Sequence, residues 1–295
     1  MSGENWRQER KTLLATLGPP LFWLTLFFLV PLAVVWAYSF GRNVGLTEIE
    51  ISGTFANYAQ AIQPLYLGIF FKSIVMAAAC TVICLVAGFP VALAITFAPD
   101  KVKAWLLLAV MLPFWTNLLI RTYALIAVLR DEGYINLTLG WIWKQVGLVL
   151  NVPPFVPLEM LHNNPAVLFG LVYVHLPFMV LPLYAALDRL DRSLIEASLD
   201  LGAGHFRTMM QVVVPLALPG ILSGVLITFI PALGAYLTPD LLGGPDSQMI
   251  ANVIERQFKR ANDWPFGAAL SFLLLYLTFV MVAVQALIQR RRGAR

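Results

Sequence analysis

Side chains that could do chemistry are scarce in this sequence, and none of them is grouped as catalysis requires. Cys80 and Cys84 are four residues apart inside an apolar run, where one helical turn offers neither a set of metal ligands nor an oxidising partner. The chain has no H-E-x-x-H zinc motif and no G-x-x-x-x-G-K-[ST] phosphate loop. We therefore expect no catalytic residue, no metal site and no enzymatic activity in this chain.

The placement of the acidic residues argues against a carrier driven by ions or protons. Such carriers hold carboxylates near the middle of the membrane as relays or ion ligands. Here every Asp and Glu lies outside the six apolar stretches that lack charged residues, and Asp240 comes nearest to one, just past the end of the fifth. An ion-coupled secondary carrier is therefore kept only as an alternative.

Residues 188–214 form a polar loop that is too regular to be a passive linker. Ser193 followed by Glu196 fits a capping box, in which the hydroxyl and the carboxylate each bond a free backbone N–H, and this predicts a helix that begins at Ser193. Apolar residues recur on one face of that helix, at Leu190, Leu194, Ala197 and Leu201. The other face carries charge, at Asp191, Arg192, Glu196 and Asp200.

Glycines mark the end of this helix. Gly202 and Gly204 can supply the left-handed conformation that stops a helix. A second helical stretch from His205 then leads to Pro215, where we expect the chain to turn into the next span. Two interpretations stay open on these residues alone: a helix that lies along the membrane surface, or a rigid knob that docks into a cytoplasmic partner.

The elements that must position this loop are transmembrane helices. The chain has 295 residues, of which 59% are hydrophobic and only 12% are charged, against about 25% charged in soluble domains. A helix needs about 20 apolar residues to cross about 30 Å of hydrocarbon. We predict an all-α integral membrane protein with six transmembrane helices, near residues 14–40, 72–98, 104–128, 166–187, 215–238 and 266–289. In the third span, the long side chain of Arg121 is expected to snorkel to the interface.

The basic residues set the orientation. More than half of the 20 Lys and Arg residues lie at the two termini, in the loop at 99–103 and in the segment 188–207, which all share one side if there are six spans. The positive-inside rule makes that side cytoplasmic. We expect a cytoplasmic segment at 1–11 and a single transmembrane domain at 12–295, surrounded by lipid. The basic residues form no patch, so no nucleic-acid partner is expected.

The loop resembles a known motif. E-A-S-L-D-L-G at Glu196–Gly202, nine further residues, and V-V-V-P at Val212–Pro215 resemble the E-A-A-x-x-x-G-x(9)-I-x-L-P loop of binding-protein-dependent ABC importer permeases. The spacing is met in full, and the three departures are small or conservative in volume. The resemblance implies the type I importer fold and a loop helix that sits in a cleft of an ATPase subunit. It assigns coupling to that subunit to Glu196, Ala197, Ser198, Asp200, Gly202, Ala203 and Pro215.

Further segments are similar to the spermidine/putrescine branch of these permeases. They are LPFWTNLLIRTYA at 112–124, GLVYVHLPFMVLPLYAALDRLD at 170–191, the LLGG string after Asp240, and DWPFGAA at 263–269. The branch implies a second, homologous permease subunit, so that a heterodimer is preferred to a homodimer. It also implies two cytoplasmic ABC ATPase subunits and an extracytoplasmic solute-binding protein, in the cytoplasmic membrane of a bacterium. This chain would bind no cofactor, while ATP and Mg would belong to the ATPase subunits.

The cargo that this branch implies is a polyamine. A flexible polycation calls for carboxylates and for aromatic faces that make cation–π contacts. Five residues are candidates for contact with it: Trp115, Tyr123, Tyr173, Tyr236 and Asp240. The competing interpretation is that these aromatic residues are interface anchors. Another cargo, such as an amino compound, an opine, iron or an anion, stays open.

Overall fold

The computed structural model describes residues 3–45, 48–147 and 153–293. Helices dominate because a chain in lipid must satisfy its backbone N–H and C=O groups internally. The elements follow in this order: α1 (Gly3–Leu24), α2 (Val30–Tyr38), β1 (Arg42–Val44), β2 (Glu48–Glu50), α3 (Ala56–Ala61), α4 (Pro64–Phe97), α5 (Asp100–Met111), α6 (Leu118–Leu129), α7 (Tyr134–Gly147), α8 (Asn164–Leu187), α9 (Arg192–Asp200), α10 (His205–Thr208), α11 (Val214–Leu233), α12 (Leu237–Leu242), α13 (Ile250–Lys259) and α14 (Trp264–Gly293).

Five helical segments of the described chain are long and apolar enough to cross a membrane, and a bent pair of segments brings the number to six. The five are Thr12–Tyr38, Pro64–Phe97, Asn164–Leu187, His205–Leu233 and Trp264–Leu287. The sixth combines Asp100–Trp115 with Leu118–Val146. The structure thus has the all-α architecture that the sequence predicts, with five candidate spans and a sixth if the bent pair is counted as one.

The third predicted span is not one continuous helix. Its two parts meet at an angle of 93°, after a 3₁₀ turn at Leu112–Trp115. Pro113 starts that turn, and Asn117 caps α6 by accepting a hydrogen bond from the backbone N–H of Leu119 at 2.8 Å. Proline followed by a capping residue ends one helix and starts another. An apolar stretch alone does not reveal this break.

Two other spans begin earlier than charge-free stretches indicate. α4 begins at Pro64 and so includes Lys72, whose Nζ donates a hydrogen bond to the carbonyl oxygen of Asp246. The fifth span begins at His205 and ends at Leu233, before the separate helix α12. Lys72 is tolerated within α4 because it finds a polar partner that only the fold supplies.

Contacts divide the described chain into two units. The first comprises the residues up to Pro64 together with Ile254–Tyr276. In it, β1 and β2 form an antiparallel hairpin with Arg42 opposite Glu50, and their side chains form an ion pair of 2.7 Å. Asn43 of the hairpin donates a hydrogen bond to Asp263 at 3.2 Å. The 18 most apolar residues of Thr12–Tyr38 are described, and none of them is buried.

The second unit comprises Leu65–Val253 and the described residues from Leu277 onward. Its centre is the packing of α8 against α11. The two helices approach closely because glycines stand at the contact: a methyl group at Gly220 would overlap Ala186 and Pro182, and one at Gly224 would meet Met179. Small residues at such contacts are typical of membrane helices, where close packing replaces the hydrophobic effect.

Candidate functional site

Helix α9 begins at a different cap from the one that the sequence predicts. The carboxylate of Asp191 accepts a hydrogen bond from the backbone N–H of Ser193 at 3.0 Å, so Asp191 is the N-cap and Ser193 lies inside the helix. This hydrogen bond also lowers the pKa of the Asp191 carboxyl below its usual value. The predicted capping box of Ser193 and Glu196 is therefore wrong, because Asp191 caps the helix two residues earlier.

The end of α9 confirms the prediction for Gly202. Its φ is +82°, in the left-handed region. The N–H of Gly202 donates to the carbonyl of Leu199 at 2.9 Å, and the N–H of Ala203 donates to that of Ser198 at 3.1 Å. These two bonds form a Schellman motif, the common termination of helices at glycine. Gly204 does not share this role, because its φ is −71° and it is the N-cap of α10.

The chain does not turn at Pro215. α10 passes through a π-helical turn at Met209–Val213 directly into α11. Pro215 stands in the first turn of α11 and has no N–H to donate to the preceding turn. A π-turn is one of the local adjustments by which membrane helices accommodate proline. The loop therefore leads straight into the fifth span.

An open groove of about 680 Å³ lies between α9 and the start of the fifth span. It is lined by Leu194, Ala197, Ser198, Leu201, Gly202, Ala203, Arg207, Gln211, Val212, Pro215 and Leu216. Five of the seven residues that the loop motif singles out are thus brought together in one groove. Glu196 and Asp200 are not among the lining residues and are exposed elsewhere on α9.

Leu194, Ala197 and Leu201 of the predicted apolar stripe line this groove, whereas Leu190 lies outside it. Leu201 is 89% exposed and Leu194 is 46% exposed. Every residue of α9 is described, and none is buried. The wall of the groove is fixed from within by the hydroxyls of Ser198 and Thr208, which are 3.0 Å apart. An ordered helix with an uncovered apolar face is typical of a docking surface for another protein.

Charged side chains hold the loop against the corner between α4 and α5. Nζ of Lys103 lies 2.7 Å from Oδ1 of Asp188, and this hydrogen bond lowers the pKa of the Asp188 carboxyl below its usual value. Nη2 of Arg192 donates to the carbonyl oxygen of Thr96 at 3.3 Å. These residues line a second, smaller cavity of about 210 Å³. Local sequence patterns do not reveal this ion pair, because Lys103 and Asp188 are 85 residues apart.

The five candidates for cargo contact are spread over several elements of the second unit. Trp115 ends the 3₁₀ turn, Tyr123 is on α6, Tyr173 is on α8, Tyr236 precedes α12, and Asp240 is on α12. All five are at least partly exposed.

Helices α6, α8 and α12 meet at Gly170. A methyl group there would come too close to Thr238 and Leu242 of α12 and would also touch Leu125 of α6. The other four candidates, without Trp115, are each two or three residues in sequence from a residue at this crossing. The crossing therefore brings together the helices that carry or adjoin these four residues.

Arg121 is buried beside this crossing, contrary to the expected snorkelling. It is 7% exposed, and its Nη2 donates to the carbonyl oxygen of Thr116 at 2.8 Å. Its guanidinium carbon lies 6.0 Å from the centroid of the Tyr173 ring. The break between the two helices explains this position, because it frees the Thr116 carbonyl to accept a hydrogen bond.

The residues that the structure describes include no cluster of three or more His, Cys, Asp and Glu side chains that could hold a metal ion. Cys80 and Cys84 are buried free thiols on α4. Their sulfur atoms are 4.0 Å apart.

Comparisons with known proteins agree with this geometry. The Escherichia coli (strain K12) "Spermidine/putrescine transport system permease protein PotB" is 38% identical over 262 residues, which are 89% of this chain and 92% of that protein. The Haemophilus influenzae protein of the same name is also 38% identical, over 91% of this chain and 92% of that protein. The crystal structure of a bacterial ABC transporter involved in import of the acidic polysaccharide alginate matches with a TM-score of 0.76 at 16% identity, over 98% of this chain and 99% of that one.

Residues 12–293 also match the model of one protein family, the binding-protein-dependent transport system inner membrane component. The match covers all the candidate spans, the groove and the Gly170 crossing. The chain therefore belongs to the family of binding-protein-dependent transport system inner membrane components, as a multi-pass permease subunit of an ABC importer.

Proposed function

We propose that this permease subunit is driven by a separate cytoplasmic ATPase subunit that docks into the groove beside α9, and that its cargo is a polyamine. The observation that carries the first part is the exposed apolar face of a capped, ordered helix: Leu194 and Leu201 face the groove, and α9, described in full, has no buried residue. A solvent-exposed stripe of this kind gains free energy when a partner covers it.

The groove is suited to receive a mechanical push. α9 is fixed at both ends, by the Asp191 cap and by the Schellman motif at Gly202. α10 continues directly into α11. A partner that seats against Ala197, Ser198 and Ala203 contacts small side chains, which permit a close approach. Closure of the ATPase subunits upon ATP then moves α9 as a unit, and the fifth span moves with it.

The relatives support the polyamine cargo. The names of the PotB proteins include spermidine and putrescine. In this chain, the exposed carboxylate of Asp240 and the rings of Tyr123, Tyr173 and Tyr236 lie along the helices that meet at Gly170. A carboxylate and aromatic faces together suit an organic cation. The single carboxylate would bind one amino group, and the solute-binding protein would contribute the remaining selectivity.

The remaining partners follow from this role. A second, homologous permease subunit forms the other half of the pathway, in a heterodimer. Both termini and α9 face the cytoplasm, as the distribution of Lys and Arg predicts. ATP and Mg bind to the two ATPase subunits, and an extracytoplasmic solute-binding protein delivers the cargo. This chain itself catalyses no reaction.

The test is the ATPase activity of the co-purified assembly in lipid with its solute-binding protein, measured while spermidine, putrescine and unrelated solutes are titrated. Stimulation by polyamines alone supports both parts of the proposal. If an ATPase subunit co-purifies but another solute stimulates it, the docking groove stands and the polyamine cargo is wrong. If no ATPase subunit associates with the chain, the docking proposal fails.

A further inference from the structure

The loop that carries α9 is fastened to a part of the fold that is remote in sequence, the corner between α4 and α5. α4 ends at Phe97, and α5 begins at Asp100 after the extended residue Pro99. Asp188 ends α8, and Arg192 is the first residue of α9. The two segments face each other across the small cavity of about 210 Å³.

Two kinds of contact make this fastening. The first is the ion pair between Lys103 of α5 and Asp188, at 2.7 Å. The second is Arg192, which bonds the Thr96 carbonyl at 3.3 Å and places its guanidinium carbon 5.5 Å from the centroid of the Phe97 ring. The ion pair reaches α5 and Arg192 reaches the end of α4, so both sides of the corner are held.

Both charges of the ion pair lie at helix ends where the helix dipole disfavours them. A cation is disfavoured near the N-terminus of a helix and an anion near the C-terminus. Lys103 nevertheless lies near the start of α5, and Asp188 caps the end of α8. Neither charge is placed to stabilise its own helix, so their value to the fold lies in the contact between the two segments.

The corner leads directly to the broken span. From Lys103, α5 continues to the 3₁₀ turn at Leu112–Trp115. α6 begins after the 93° bend. α6 carries Tyr123 and the buried Arg121, which contacts Tyr173. A displacement of α9 therefore has a further route to the broken span, separate from its covalent connections to α8 and α11.

We propose that Lys103, Asp188 and Arg192 are positioning residues that transmit the movement of α9 to α5 and so to the broken span beside the cargo candidates. This inference rests on the proposed function, since it assumes that a partner in the groove moves α9. None of the three residues touches cargo or nucleotide. Their removal leaves α9 joined only through its own chain, to α8 and to α11, so ATP is still hydrolysed but less cargo is moved for each ATP.

The experiment measures polyamine molecules imported per ATP hydrolysed, in proteoliposomes that contain the whole importer and its solute-binding protein. Asp188→Asn removes the ion pair and is expected to lower this ratio by about fivefold, the scale of a partly exposed ion pair. Arg192→Lys keeps the charge but loses the planar group that bonds Thr96 and covers Phe97, and it is expected to lower the ratio as well. Arg189→Gln removes a neighbouring exposed charge and is the matched control, with an unchanged ratio.

The decisive variant is the charge exchange Lys103→Asp with Asp188→Lys. It restores the pair and places each charge at the helix end that favours it, but it also puts an acid beside Asp100 and a base beside Arg192, so the ratio is expected to rise above that of Asp188→Asn without reaching the wild-type value. A wild-type ratio in Asp188→Asn overturns the proposal, and so does an exchange variant as poorly coupled as Asp188→Asn. Such coupling evidence is what a claimed route between two sites requires. Failure of the wild-type chain to co-purify with an ATPase subunit is a different result, which overturns the proposed function itself.

Discussion

Substitution of Gly202 tests whether the fixed end of α9 matters for coupling. A Cβ atom built at Gly202 has no neighbour within 4 Å, so Gly202→Ala introduces no clash. The whole cost comes from the backbone, whose φ of +82° disfavours L side chains. That cost is about 1 kcal/mol. It opposes the two Schellman hydrogen bonds from Gly202 and Ala203, and it acts on the loop and not on the membrane core.

The first assay is amide hydrogen exchange of α9 in the assembled importer. A cost of about 1 kcal/mol raises the population of the opened helix end by about fivefold, and exchange at the amides of Leu199–Ala203 speeds up by the same factor. Gly202→Asn is expected to fall between alanine and wild type, because asparagine tolerates the left-handed conformation. Gly204→Ser is the matched control, since a φ of −71° suits serine and serine is a favoured N-cap for α10.

The second assay is uptake against ATP hydrolysis in the same variants. Loss of coupling is expected to follow the exchange rates in the order alanine, asparagine, wild type. Gly202→Asp, which adds a carboxylate at the C-terminal end of α9, is expected to insert into the membrane but to uncouple hydrolysis from uptake. If Gly202→Ala exchanges fivefold faster yet imports normally, a rigid α9 is not needed for coupling. If its exchange is unchanged, the backbone reasoning itself is refuted.

Three more predictions concern the cap, the helix crossing and the cargo residues. Asp191→Ala removes the N-cap acceptor and is expected to destabilise α9 by about 1 kcal/mol, seen as faster exchange, whereas Asp191→Asn keeps an acceptor and much of the stability. Gly170→Ala pushes a methyl group into side chains of α12 and is expected to cost about 1–3 kcal/mol, seen as a lower thermal midpoint; Gly234→Ala, which meets no atom closer than 3.8 Å, is the control. Asp240→Asn is expected to raise the half-saturating polyamine concentration by about fivefold, whereas Asp131→Asn leaves it unchanged.

The parts of the fold that could be predicted from sequence are those that short-range chemistry determines. The left-handed stop at Gly202 is such a case, because only the local backbone demands it. The number of spans is another, since each depends on its own apolar length. The predicted N-cap of α9 is wrong for a related reason. Asp191 and Ser193 are both good N-cap residues, and local sequence does not decide between them.

The remaining errors have a long-range cause. Charged residues delimit the predicted spans, but α4 continues past Lys72 to Pro64, because Lys72 bonds the backbone carbonyl of Asp246, 174 residues away. Arg121 was expected at the interface but is buried, because the helix break offers it the Thr116 carbonyl and Tyr173 offers its ring. A partner of this kind exists only after folding, so a charge in an apolar run indicates either a span end or a buried contact, and the sequence does not distinguish them.

The apolar face of α9 shows that a sequence pattern also fails to identify a partner outside the chain. A periodic apolar face predicts that a helix is covered, but it does not say whether by its own protein or by another. Leu201 is 89% exposed, so its own chain does not cover it. Burial of a leucine is worth roughly 1.5–3 kcal/mol. The contacts that fix α9 within the chain, such as its N-cap and the nearby ion pair, are each worth about 1 kcal/mol or less. Docking of the proposed partner would therefore contribute more free energy than any one of these contacts, which is the condition under which a partner can move this helix without unfolding the membrane helices beneath it.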